Sequence, residues 1–183
     1  MLLYQMDFNL KKNHFILKTS DILNSNTLVN FPVSNAKGSI NATRTSITWN
    51  AISIKDILQD MYMDYDLFNI SLTFVGNPIG TTAYGASLND KVIHFGMTGL
   101  DWVFTNYNCA TRNTSRESMI SAYTFIQGSA NLSFVQNPTL TFKKCNTTDI
   151  TINLYTVMGT LPIMNANTIY PQMSFNFVIT PVV

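Results

Sequence analysis

Apolar and polar positions alternate most clearly over residues 45–75, TSITWNAISIKDILQDMYMDYDLFNISLTFV. Ile47, Trp49 and Ala51 fall on one face of an extended chain, with Ser46, Thr48 and Asn50 on the other. Phe68, Ile70, Leu72 and Phe74 repeat the pattern against Asn69, Ser71 and Thr73. A period of two places one face on a core and leaves the other for water or a polar partner. Residues 55–66, between the two runs, are the only segment with helical spacing, so a decorated loop is expected there and not a tight hairpin. Two long one-sided strands need a second sheet to cover them.

The same reading extends along the chain. Residues 14–18 form a short strand with Phe15 and Leu17 on one face, after an arm over residues 4–10. Residues 21–38 are rich in Asn, Ser and Pro and read as a surface loop. Residues 40–54 carry the first long strand, and its apolar register changes between Ala42 and Ile47, which calls for a bulge or bend. The stretch GNPIGTTAYGAS, 76–87, is a loop.

Strands follow at 91–95 and 101–107, the latter with Trp102 and Phe104 on a shared face, and then at 119–127. Residues 131–136 and 139–144 read as a hairpin turned at Asn137-Pro138. Ile150, Ile152 and Leu154 point inward from a strand at 149–158, and Phe175, Phe177 and Ile179 from a last one at 173–180. About eight strands with turn signals at sandwich spacing predict an all-β fold. The expected architecture is a single jelly-roll β-sandwich of two antiparallel four-stranded sheets with long loops, its last strand beside its first. One domain spans 1–183: an arm, short strand and loop over 1–38, then the main sandwich over 39–183. A β-barrel or an immunoglobulin-like sandwich is the next choice.

Composition agrees with strands. The chain holds 21 Asn, 22 Thr and 14 Ser, but one Glu (Glu117) beside nine Asp. Thr and aromatics favour strands and Asn favours turns, whereas Glu favours helices. Charged residues are 11% of the chain, under half the usual ~25%, and the formal net charge is +1. So neutral a surface suits a subunit that packs against neighbours; it also suits an ordinary domain from an AT-rich genome. At 183 residues a single core can bury about 70% of the unfolded surface. No signal peptide is read in MLLYQMD, and no apolar run reaches the ~18 residues that span a bilayer. Cys109 and Cys145 lack metal-site spacing; reduced thiols in an intracellular fold are the default, and their pairing stays open.

Chemistry is sparse. His14 and His94 are the only histidines, and His94, in KVIHFG, has no Cys, Ser or acidic partner at motif spacing. Asp56, Asp60 and Asp64 recur every four residues with Asp66 following. On one helix they would align as a hard-cation face, but the interleaved Met61, Tyr62, Met63 and Tyr65 favour a solvated acidic face over an apolar contact. No catalytic residue, metal site or cofactor is therefore assigned. Five N-x-S/T triplets, beginning at Asn41, Asn69, Asn113, Asn131 and Asn146, barely exceed the roughly four that this composition gives by chance. Basic residues are scattered pairs, not a stripe, so direct nucleic-acid binding is not expected.

The strand order, the pair TSITWNAIS and LFNISLTFV, the neutral Asn/Thr-rich surface and the apolar last strand together resemble one family: the single-jelly-roll capsid proteins of large icosahedral double-stranded DNA viruses, in particular the penton proteins at their five-fold vertices. The resemblance implies a structural virion protein, not an enzyme. It would be made in the host cytoplasm, close vertices as a homopentamer and contact the major capsid protein. An internal membrane around the genome in that family accounts for the absent basic arm. Interface candidates are Tyr62, Met63, Tyr65, Tyr84 and Tyr107, each of which has filling of the sandwich ends as its alternative. Two other readings stay open: a minor capsid or cement protein, and a carbohydrate-binding module or viral attachment head using Asn77, Tyr84, Asn89 and Asp90. A cupin-type enzyme is disfavoured, because such metal sites need clustered histidines.

Overall fold

A computed structural model describes residues 12–22, 33–35, 37–40, 46–76, 92–104, 117–124, 133–136, 138–156 and 174–183. Twelve strands and two short helices follow in chain order: β1 (Asn13–Lys18), β2 (Val33–Asn35), β3 (Gly38–Ile40), β4 (Ser46–Ser53), α1 (Ile54–Leu58), α2 (Met61–Asp64), β5 (Leu67–Gly76), β6 (Val92–Thr98), β7 (Asp101–Trp102), β8 (Ser118–Thr124), β9 (Ser133–Gln136), β10 (Leu140–Lys143), β11 (Thr147–Thr156) and β12 (Ser174–Pro181). They form two antiparallel sheets, ordered β1-β12-β5-β10-β7 and β2-β3-β4-β11-β6-β8-β9. The expected all-β, two-sheet arrangement is present, but the sheets hold five and seven strands instead of four each. The additions are marginal strands of two to four residues, too short to leave an alternation in the sequence.

Without those margins the sheets read β1-β12-β5-β10 and β4-β11-β6-β8. Their pairing is nested: β1 with β12, β4 with β11, β5 with β10, β6 with β8. The first of these eight strands thus pairs with the last, and the innermost pair is consecutive among the eight. The last strand lies inside its sheet, between β1 and β5, as its unbroken apolar face requires.

The local reasons are legible. Phe175, Phe177 and Ile179 on β12, Ile150, Ile152 and Leu154 on β11, and Ile47 and Trp49 on β4 are all buried at the period expected. Phe175 joins the two sheets: its ring meets Trp49 edge-on at 5.9 Å and Phe95 at 5.6 Å between centroids, and both partners belong to the other sheet. Phe15 stacks on Phe177 at 4.8 Å, holding the outer strand to β12. The Trp49 indole Nε1–H donates to the Lys18 carbonyl at 2.9 Å, so the one polar atom of that ring is satisfied while the rest is buried.

Four expectations are corrected. Residues 133–136 and 140–143 are not a hairpin; β9 pairs with β8 in one sheet and β10 with β5 and β7 in the other. A proline-marked break reads the same locally whether the chain turns back or crosses between layers. Ala51 is not on the core face: Asn50 and Ala51 together oppose Asp149, a bulge that turns Ala51 outward with φ +53°. The Asp149 carboxylate accepts the Ala51 N–H at 2.8 Å and holds the bulge. A second bulge at Thr73 transfers the buried register from Leu72 to Val75. Phe104 does not share the burial of Trp102, because β7 ends at Trp102 and Phe104 is exposed.

Two outcomes are expected in urea denaturation. Phe175→Ala removes the ring that both sheets close on and costs about 3–5 kcal/mol. Ala51→Gly relieves a left-handed backbone at an exposed position and raises stability by up to about 1 kcal/mol; a loss of stability there would mean that the bulge is not strained.

Candidate functional site

Two places carry more chemistry than packing alone accounts for. The first is the α1–α2 insertion between β4 and β5. Ser53 caps α1 by accepting the Asp56 N–H, and Ile54, Leu58 and Met61 bury the inner face. The helical spacing read in the sequence is real but interrupted. Gln59 takes φ +51° and ψ −127°, a region that side-chain-bearing residues rarely occupy, and it breaks the segment into two helices. Asp56, Asp60 and Asp64 therefore do not line one continuous helix face, and all three are exposed.

The insertion is fastened to the 144–146 segment ahead of β11. Tyr62 donates its hydroxyl to the Asn146 side chain. The Lys144 ammonium pairs with Asp66 at 2.8 Å, donates to the Tyr62 carbonyl at 3.3 Å and sits 5.3 Å from the centre of the Tyr62 ring. Backbone bonds from Lys55 N–H to the Asn146 carbonyl and from Lys144 N–H to the Asp66 carbonyl complete the seam. Asp66 is largely exposed, so the ion pair itself contributes little, and the seam as a whole fixes the geometry.

Of the aromatic and methionine candidates here, Tyr62 and Tyr65 are half-buried against the core, Tyr65 edge-on to Phe68 at 6.5 Å. Met63 instead stands 78% exposed at the tip. Tyr84 and Tyr107 lie outside the described residues, as do Asn77, Asn89 and Asp90 of the carbohydrate reading.

The second place is a buried carboxylate that the sequence reading did not single out. Glu117, the only glutamate in the chain, is 8% exposed immediately before β8. Its carboxylate accepts from the Tyr155 hydroxyl at 3.0 and 3.1 Å and from the Asn153 amide at 2.8 Å, both on β11. Strand β6 lies between, with Gly96 opposite Asn153, and a Cβ on Gly96 would strike the Glu117 carboxylate. Only a glycine there lets the glutamate cross one strand to reach the next. The solitary Glu in a chain otherwise supplied with Asp was the available signal, since the cross-strand reach needs the longer side chain. His94 is registered opposite Tyr155, on the same outer face of the sheet. Burial lowers the His94 pKa below the ordinary histidine value.

Cys145 is a free, half-buried thiol whose pKa is raised by burial and then by the Asp101 charge, which keeps it a poor nucleophile. Among the described residues no three His, Cys, Asp or Glu side chains converge as metal ligands. The arrangement is that of a hydrogen-bonded clasp and a clamped platform. Compared with known protein families and with curated proteins, the chain matches none.

His94 makes the stability pH-dependent in a defined direction. Its folded pKa lies below the unfolded value of about 6.5, so the unfolded chain takes up the proton first. Stability is full above pH 6.5 and falls as the pH drops through the interval between the unfolded and folded values. Urea midpoints measured across that interval should fall less steeply for His94→Gln than for the parent chain; equal slopes would exclude His94 as the source.

Proposed function

We propose that the chain is a structural subunit of a viral shell: a single jelly roll that closes five-fold vertices as a homopentamer and contacts the major capsid protein. The observation that carries this reading is the strand order. Rolling up one long antiparallel ribbon, in which the first strand pairs with the eighth, the second with the seventh, the third with the sixth and the fourth with the fifth, produces the order β1-β12-β5-β10 facing β4-β11-β6-β8. Short strands at the margins then widen each sheet.

The outer faces of both sheets support an assembling subunit. Thr48 and Thr151 share a hydroxyl hydrogen bond at 2.8 Å on one of them. On the other, Thr141 donates to Asn69 at 2.7 Å and Thr73 to the Asn176 carbonyl at 3.0 Å. Short neutral groups of this kind enter a contact without the desolvation penalty of charge, whereas buried charges need well-formed partners. Rings need heterologous contacts, in which one side of a subunit meets a different side of its neighbour. No helix among the described residues is long and apolar enough to cross a membrane. The proposed place of action is the virion, after synthesis in the host cytoplasm.

Native mass spectrometry of the full chain tests the reading. A homopentamer, or five-fold rings in electron micrographs, is the expected result. A chain that stays monomeric at every concentration, alone and with major capsid protein, would overturn it.

A further inference from the structure

Of the large apolar side chains exposed among the described residues, Ile16, Met63, Phe104 and Val183, two are flanked by exposed charge of one sign. On the insertion, Met63 is 78% exposed, with the exposed carboxylates Asp60 and Asp64 on either side in sequence. On β1, Ile16 is 50% exposed, and the residues sharing its outward face, His14 and Lys18, are exposed as well, with exposed Lys12 next along. Phe15 and Leu17, the alternate residues of β1, are buried, so this face is fixed by the strand's own period. None of Asp60, Asp64, Lys12 and Lys18 forms an ion pair with a described residue, whereas Lys144 is committed to Asp66. An apolar centre rimmed by unpaired anions and another rimmed by unpaired cations are complementary in both respects.

The elements that carry them are neighbours, joined on the inner side of β1. The Asn13 side chain, at the start of β1, donates to the carbonyls of Ile57 at 2.6 Å and Leu58 at 3.2 Å, at the end of α1. A subunit of a closed ring offers two different surfaces, one to each neighbour, and in a small ring these converge toward the axis. Two neighbouring elements that carry patches of opposite sign can supply such a pair of surfaces. The backbone that carries Met63 is moreover held on a platform clamped by Lys144, Tyr62 and Asn146, so docking has only the side chain left to order.

We propose that the Met63 tip of one copy docks on the outward face of β1 in the next, with Met63 against Ile16 and Asp60 and Asp64 facing His14, Lys18 and Lys12. This rests on the self-assembly reading above and names the surfaces that carry it. The apolar pair anchors the contact, and the rim charges set its orientation and speed.

The test is charge reversal in the full chain, read by native mass spectrometry and sedimentation at low and at about 1 M salt. Asp60→Lys with Asp64→Lys, and separately Lys12→Glu with Lys18→Glu, should each weaken association about ten-fold or more. Combining all four should restore it to within a few-fold of the parent, and Met63→Ser should weaken it at either salt. All the substituted positions are exposed, and unchanged circular dichroism and urea midpoints certify the fold. A parent that forms rings, with reversed variants that form them equally well, overturns this docking surface and leaves self-assembly standing. Reversals that abolish assembly without mutual rescue also overturn it. A parent that never leaves the monomer overturns both.

Discussion

The sandwich depends on Phe175. Its ring closes against Trp49 and Phe95 from the facing sheet, and its strand, β12, is paired on both sides, by β1 and β5. One strand from the end of the chain therefore seals the core and fastens its beginning. Nested pairing makes this unavoidable: the outermost pair joins the most distant segments, so those contacts carry the largest loop-closure cost and need the strongest burial to offset it. The aromatic cluster around Phe175 and Phe177 supplies that burial where it is needed.

Strands long enough to repeat their alternation were legible in the sequence. For β5, β11 and β12, period-two patterning identified the buried core-facing residues, apart from the end of β5, where the Thr73 bulge brings Val75 inward; it did not identify Tyr155 of β11, buried on the outer face beside Glu117. Features set by distant partners were less legible. The Ala51 bulge depends on the Asp149 carboxylate, 98 residues away. A proline stands in a turn-like sequence context between β9 and β10, yet the two strands belong to different sheets, and nothing local in the sequence distinguishes that from a hairpin. Marginal strands such as β2 and β7 hold two or three residues and exist because a neighbour's edge is available.

The same distinction governs the candidate sites. Met63 was legible as one of several aromatic or sulfur-bearing side chains in a helical segment, but its exposure against the half-burial of Tyr62 and Tyr65 follows from the break at Gln59 and the Lys144 seam. The Glu117 clasp was not found, because its members lie 36 and 38 residues apart and meet only across β6. Glu117, Asn153 and Tyr155 tie β8 to β11 over Gly96, a rigid join on the outer face, and the insertion is fastened as firmly at its own seam. On the proposed reading, surfaces held this way and bearing neutral polar groups suit the packing of copies in a fixed orientation.

Strand pairing is the claim on which the rest stands, and interstrand backbone NOEs in a labelled sample measure it most directly. Cross-peaks are expected to join Phe15 with Phe177, Ile47 with Ile152, Ile70 with Leu140 and Phe95 with Ser121. A meander of local hairpins, seen as contacts between residues 133–136 and 140–143 with no signal between the first and last strands, would contradict it.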